Sequence, residues 1–375
     1  MIVAAVVVAA LAVAGLVVAL TSGEPPRTVP AEPAPATEQF GANVGRLFND
    51  RVYTPAQIDT QLAALRATGA TLARADALWE ASEPSPPSAG VHHYDWSFDD
   101  AIAGSLAAYG LRWLPIIDYS ATWAQSLPGQ DHSPPASDAD YAAYAAAVAA
   151  RYGPRGSFWS AHPNLTPLPT DTYEIWNEPD NPAFWFPAPD AATYGKLYLG
   201  ARSAIESAQP GARVLIGGLT KPASFLPALL AAVPALRMRL DGVAIHPYGA
   251  TPQAVLQNVR TARVALDSVG LAGVPLYVTE FGWTTDPPGA LAYLPESLRP
   301  GYLERTIAAL GHLDCGVAAA LVYAWVTPER DPSDDQDWFG ISPPGGGSSA
   351  DMAAFAAGLK AAGSPAPTEP VCAGS

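Results

Sequence analysis

The chain is poor in cysteine, in basic residues and in charge altogether. Cys315 and Cys372 are the only cysteines among 375 residues. With no Cys-x-x-Cys pair and no histidine spacing to accompany them, they argue against a zinc site, and no metal is expected. Twenty Lys+Arg stand against 35 Asp+Glu, a net charge of −15. That is the wrong sign for holding a phosphate backbone, so nucleic acid is not expected as a partner. Also missing are a Gly-x-Gly-x-x-Gly after the first strand-like run, a Gly-rich loop ending in Gly-Lys-Ser/Thr, and a Gly-x-Ser-x-Gly. Their absence disfavours dinucleotide binding, phosphoryl transfer and serine-hydrolase chemistry.

What is present is apolar: 49% of positions against 15% charged, which is ample for a core and excludes disorder over most of the chain. The 32 glycines and 39 prolines are spread as punctuation between apolar runs, which excludes a coiled coil or a simple helix bundle. Residues 2–20 form an unbroken apolar run long enough to cross a bilayer. Segment 1–21 is therefore expected to be a membrane anchor or a signal peptide, and 22–38, rich in proline, an extended tether. Either reading exports the remainder, 39–375, to an extracytoplasmic place, anchored or secreted. There Cys315 and Cys372 are able to form one disulfide, the alternative being two free thiols.

From residue 40 onward, strand-like runs at 40–44, 71–74, 112–117, 173–176, 214–217, 242–245, 276–279 and 318–323 alternate with helical stretches. The helical stretches include 55–68, 138–152, 191–208, 252–269, 299–313 and 350–362. Eight such units predict a single (β/α)₈ barrel, with a doubly wound open sheet as the runner-up. After Trp325 there is room for one loop, one helix and a tail, and no second globular domain is expected.

Barrel sites lie where strands end. The fourth run ends in Asn177-Glu178-Pro179 and the seventh in Thr279-Glu280-Phe281, placing two carboxylates across the mouth from each other. Cleavage of a glycosidic bond needs such a pair: one group protonates the departing oxygen and the other attacks or stabilises the anomeric carbon. Proximity of like charge and burial should raise one pKa and leave the other group ionised. Glu178 is assigned as acid/base and Glu280 as nucleophile. The bland reading of each, a loop-closing or ion-paired glutamate, is weakened by their matched positions.

Trp176-Asn177-Glu178-Pro179, followed by Thr279-Glu280-Phe281-Gly282-Trp283, resembles the retaining glycoside hydrolases of clan A. Segments 74–79, 94–97, 117–124 and 245–248 extend the likeness in the right order over nearly the whole domain. Within the clan the chain looks most like glycoside hydrolase family 39, especially its bacterial exopolysaccharide hydrolases, with family 5 as close competitor. The resemblance implies that Asn177 bonds the sugar 2-hydroxyl, that Tyr248 holds Glu280, and that His246 bonds the sugar or supports Glu178. It also puts Arg74 beneath Glu280, the alternative being a buried partner for Glu174. The accessory β-sandwich of the family's xylosidases has no counterpart here, so internal cleavage is favoured over exo action.

Trp79, Trp123, Trp283 and Trp325 fall at or just after predicted strand ends, where rings can stack on the C–H faces of sugars, although a core role is equally open to each. Trp325 is taken as the floor beneath the reacting sugar. The expectation is thus a monomeric, exported, retaining hydrolase of β-linked polysaccharide or oligosaccharide that needs no cofactor. The alternatives are a transglycosylase using the same site and a catalytically silent carbohydrate-binding barrel.

Overall fold

The computed structural model describes residues 39–368 and 370–372. The expected anchor or signal segment and the tether lie outside the described residues. Among the described residues, no helix is long and apolar enough to cross a membrane.

Eight strands close a barrel in sequence order, every neighbour parallel. They are β1 Phe40–Asn43, β2 Leu72–Leu78, β3 Arg112–Asp118, β4 Thr172–Ile175, β5 Arg213–Leu219, β6 Gly242–Ile245, β7 Leu276–Val278 and β8 Val317–Val322. One long helix follows each: α1 Pro55–Ala67, α2 Ser97–Ala108, α3 Asp138–Tyr152, α4 Ala191–Ala208, α5 Pro222–Ala232, α6 Pro252–Ser268, α7 Arg299–Leu310 and α8 Ala350–Ala362. This is the (β/α)₈ fold that the alternating pattern predicts.

The helices begin where the sequence supplies a cap. Ser137, Asp190, Thr251 and Ser349 accept first-turn amides of α3, α4, α6 and α8, and Thr54 forms a reciprocal capping box with Gln57 at α1. Helix tyrosines then pin strand ends at the mouth. Tyr141 Oη donates to the Ile117 carbonyl, and Tyr194 Oη donates to Ile175 O while accepting the Gly217 amide.

Alternation along parallel strands sorts the barrel interior into layers. At the lower end Leu72, Leu114, Leu215, Ala244, Tyr277, Ala319 and Leu321 form an apolar plug separate from the larger core under the helices. Two residues further along the strands the inward layer turns polar, with Arg74, Glu174, His246 and Thr279, all buried. Cys315 and Cys372 are bonded across a separation of 57 residues, fastening the tail after α8 to the start of β8.

Candidate active site

The mouth of the barrel holds a cavity of about 670 Å³. Glu178 and Glu280 both line it, each less than one-tenth exposed, and one carboxylate oxygen of each lies within 4.8 Å of the other. Glu178 reaches this position through an unusual turn. Strand β4 stops at Ile175, one residue earlier than the sequence pattern suggests, because Trp176 and Glu178 adopt left-handed backbone with φ of 66° and 47°. Such conformations cost about 1–3 kcal/mol for a residue with a side chain. Packing holds the turn in place: the Trp176 ring is fully buried edge-on against Trp185 and Tyr119, and its indole N–H donates to Phe184 O at 2.7 Å.

Arg74 sits beneath both glutamates in the buried polar layer. Its Nη1 donates to Glu280 Oε1 at 2.5 Å and to Asn43 Oδ1 at 2.9 Å, and its Nε and Nη2 hold both oxygens of Glu174. Nη2 also donates to Asn177 Oδ1 at 3.0 Å. The two sequence readings of Arg74 are therefore simultaneously true: one guanidinium serves Glu280 and the wholly buried Glu174. Tyr248 Oη donates to Glu280 Oε2 at 2.8 Å, so both oxygens of Glu280 are hydrogen-bonded.

On the other side, His246 Nδ1 lies 2.7 Å from Glu178 Oε1 and 3.6 Å from Glu280 Oε2. Its Nε2 is 3.1 Å from Thr279 Oγ1. The imidazole fits because β5 has glycine beside it: a Cβ on Gly218 would lie 2.0 Å from His246 Nε2. Gly218 also donates its amide to Glu174 Oε1 at 2.8 Å, where the β5–β6 register shifts between Ile216 and Leu219.

These contacts decide where the proton rests. Burial pushes Glu178 upward, but the hydrogen bond and charge of His246, then Asn181 and Arg74, outweigh it and hold the carboxyl below its ordinary value. Burial pushes His246 downward, but Glu280 and Glu178 outweigh it and raise the imidazole. The sequence expectation of a raised Glu178 is thus corrected, because His246 reverses the direction. The two groups titrate as a pair sharing one proton, which rests on the imidazole. Glu178, His246 and Glu280 also bring one ligand atom each within 4.8 Å of one another, a spacing that could hold a cation. Their donor atoms are already bonded to one another, to Arg74 and to Tyr248, so their chemistry is that of proton transfer.

Several contributors are absent from the sequence reading. Asn181 donates to Glu178 Oε2 at 2.6 Å, and Asn43 donates to the carbonyls of Thr279 and Val322, tying the β7 end to β8. Tyr323 lines the cavity, its hydroxyl donating to Gln336 Oε1 at 2.9 Å. Alternation from Ala319 and Leu321, both in the inner plug, carries the signal for its inward position.

The tryptophan expectations need correction. Trp325 is fully buried under the barrel wall, donating to Gln61 O at 3.0 Å and packing on Phe355, and it does not line the cavity. Trp283 is likewise buried, bonded to Gly249 O and edge-on to Tyr302. Trp123 is half-buried, donating to Glu83 O and packed on Trp79, which itself stacks on Tyr144 in the core. Each indole N–H lies close to a backbone carbonyl or carboxylate that the fold supplies, and satisfying it draws the ring into the wall and away from the cavity.

No family model matches the chain, and no curated protein matches it. Solved structures do. A monomeric β-xylosidase from Caulobacter crescentus CB15 superposes with a TM-score of 0.64 at 21% identity, covering 85% of this chain and 67% of that one. A family 39 glycoside hydrolase from the gut symbiont Bacteroides cellulosilyticus WH2 gives 0.63 at 18% identity, over 87% and 65%. The fold is theirs. A structure from a study of two fungal β-1,4-galactanases gives 0.57 at 16% identity, over 85% of this chain and 99% of that one. The chain spans about two thirds of the length of the first two.

Proposed function

We propose that this barrel is a retaining glycoside hydrolase of the clan A, family 39 type, cleaving internal β-linkages of a polysaccharide. The observation that carries the reading is the separation of Glu178 and Glu280 by no more than 4.8 Å between nearest oxygens. Retaining enzymes hold their carboxyl groups about 5–5.5 Å apart, whereas inverting ones leave about 6.5–9.5 Å for a water.

The roles follow from the partners. Glu280, paired with Arg74 and oriented by Tyr248, attacks the anomeric carbon. The glycosidic C–O bond breaks, and the departing oxygen takes the proton of the His246–Glu178 pair through Glu178. Glu178 then removes a proton from water, whose oxygen displaces Glu280 from the anomeric carbon, and the pair regains its proton. The reaction needs only water. Aromatic rings lie on both flanks of the carboxylates, Tyr119 and Phe184 on one side and Tyr323 and Phe339 on the other. Surfaces for sugars on either side of the scissile bond support internal cleavage. The disulfide supports export, since such bonds persist in oxidising compartments.

The test is sugar release from a panel of β-linked polysaccharides by the parent, Glu178→Ala and Glu280→Ala. Loss of activity in both variants, with azide yielding a β-glycosyl azide from Glu178→Ala and an α-glycosyl azide from Glu280→Ala, supports the reading. A polysaccharide that binds all three alike and is never cleaved makes the barrel a lectin.

A further inference from the structure

A second cavity of about 320 Å³ opens beside the first, between the β5–α5 turn and α6, and the two share Thr220, Lys221, His246 and Tyr248. It therefore continues the cleft beyond the ends of β5 and β6, past the His246 that bonds Glu178, the group proposed to protonate the departing sugar. The remaining wall is mostly apolar, formed by Leu219, Pro222, Ala223, Ile245 and Pro247, with Ser224, Asn258 and Thr261 as its polar members.

Lys221 is the lysine in this wall. The chain has three lysines, Lys196, Lys221 and Lys360, in a protein of net charge −15. The other cations at the mouth are committed: Arg46 to Asp50 and Asp337, Arg74 to Glu174 and Glu280, and His246 to Glu178. The ammonium of Lys221 takes part in none of the ion pairs found among the described residues.

Its backbone, by contrast, is tightly held. Asp180, 4% exposed and two residues beyond Glu178, accepts the Thr220 amide at 3.0 Å and the Lys221 amide at 2.5 Å. This carboxylate fastens the β5–α5 turn to the Glu178 turn, so the backbone of Lys221 keeps a fixed place relative to Glu178, with its side chain exposed. An ammonium outside any ion pair, on an anchored turn beside a mostly apolar wall, suits a ring that packs its C–H face there and carries a carboxylate.

We propose that this side cavity is a leaving-side subsite for an acidic sugar, with Lys221 reading the carboxylate of a uronic acid next to the scissile bond. The inference rests on the hydrolase reading only for which sugar occupies the cavity; the binding itself is testable alone. The three lysines of the full chain are ¹³C-methylated, which keeps their charge. Lys221 is then assigned by loss of its signal in Lys221→Arg, and the protein is titrated with methyl β-D-glucuronide and with methyl β-D-glucoside.

The expected result is a shift of the Lys221 signal alone, with the glucuronide and not with the glucoside. Lys221→Met is expected to weaken glucuronide binding about tenfold by calorimetry, the worth of one charge-assisted hydrogen bond. A Lys221 signal that stays still, or that moves only together with Lys196 and Lys360, overturns the subsite. Repeating the titration with Glu178→Gln separates the two readings. A Lys221 response in a protein that cleaves no β-linked polymer keeps the subsite and removes the hydrolase; cleavage without the response does the reverse.

Discussion

Replacing Arg74 by methionine removes the guanidinium that bridges two buried carboxylates, Glu174 at 0% exposure and Glu280 at 8%. Methionine fills much of the volume, so the main cost is the charge left behind. Breaking a buried ion pair from one side costs about 3–5 kcal/mol, a large share of the roughly 5–15 kcal/mol that holds a domain together. Thermal unfolding should fall by on the order of 10 °C. The double variant Arg74→Met/Glu174→Leu separates charge from packing, because it also removes the orphaned carboxylate at the centre. We expect most of the stability to return in the double variant while hydrolysis does not, since Glu280 still lacks its guanidinium. Circular-dichroism melts read the first quantity and turnover of an aryl β-glycoside the second. A double variant no more stable than Arg74→Met would refute the reasoning and assign the cost to packing.

The remaining predictions concern the acid, the tail and the cavity wall. In the parent, activity should persist to a pH above 6.5, the ordinary histidine value, because the pair loses its proton only at the raised His246 value. In His246→Gln the largest lowering influence on Glu178 disappears and the limb no longer reports a raised imidazole, so the alkaline limb of kcat/KM should move down; an unmoved limb counts against proton sharing. Glu178→Ala should lose about 10²–10⁴-fold in rate on poor leaving groups and much less on activated aryl glycosides, and equal losses on both would remove Glu178 from the acid role. Cys372→Ser opens a loop of 57 residues and should cost about 4 kcal/mol, seen as a lower melting temperature that reductant does not lower further. Tyr323→Ala should raise KM while melting near the parent temperature, whereas Trp325→Phe, which loses the bond to Gln61, should lower the melting temperature and leave KM alone.

Much of the framework is legible in the sequence because its punctuation is chemical. The helices 138–152, 191–208 and 350–362 begin and end where the pattern puts them, since Ser137, Asp190 and Ser349 each offer an oxygen to the first-turn amides. Strand β2 is less transparent: it runs on to Leu78, beyond the predicted 74, because Ala75, Asp76 and Ala77 give a weak strand signal although they pair with β3. Helices α2 and α5 are not singled out by the sequence pattern, and α5 even contains Pro227. At the site, Glu178, Glu280, Arg74, His246 and Tyr248 are found together because each sits at or within a strand end. The proton's resting place is not legible, because it depends on a 2.7 Å contact between residues 68 apart. The rings were harder still: composition says tryptophan is present, but only the position of a carbonyl such as Gln61 O decides that Trp325 turns into the wall.

The missing side chain at Gly218 has an implication for how such a site is inherited. The imidazole that governs Glu178 occupies the space where a methyl group would stand, 2.0 Å from its Nε2. A change of Gly218 to alanine would leave both glutamates, the arginine and the histidine untouched in the sequence, yet it would evict the ring from the acid. A lineage could therefore lose or retune its chemistry while keeping every residue that a motif search inspects. In this barrel a position with no functional group shapes the surroundings of Glu178 as much as any charged neighbour does.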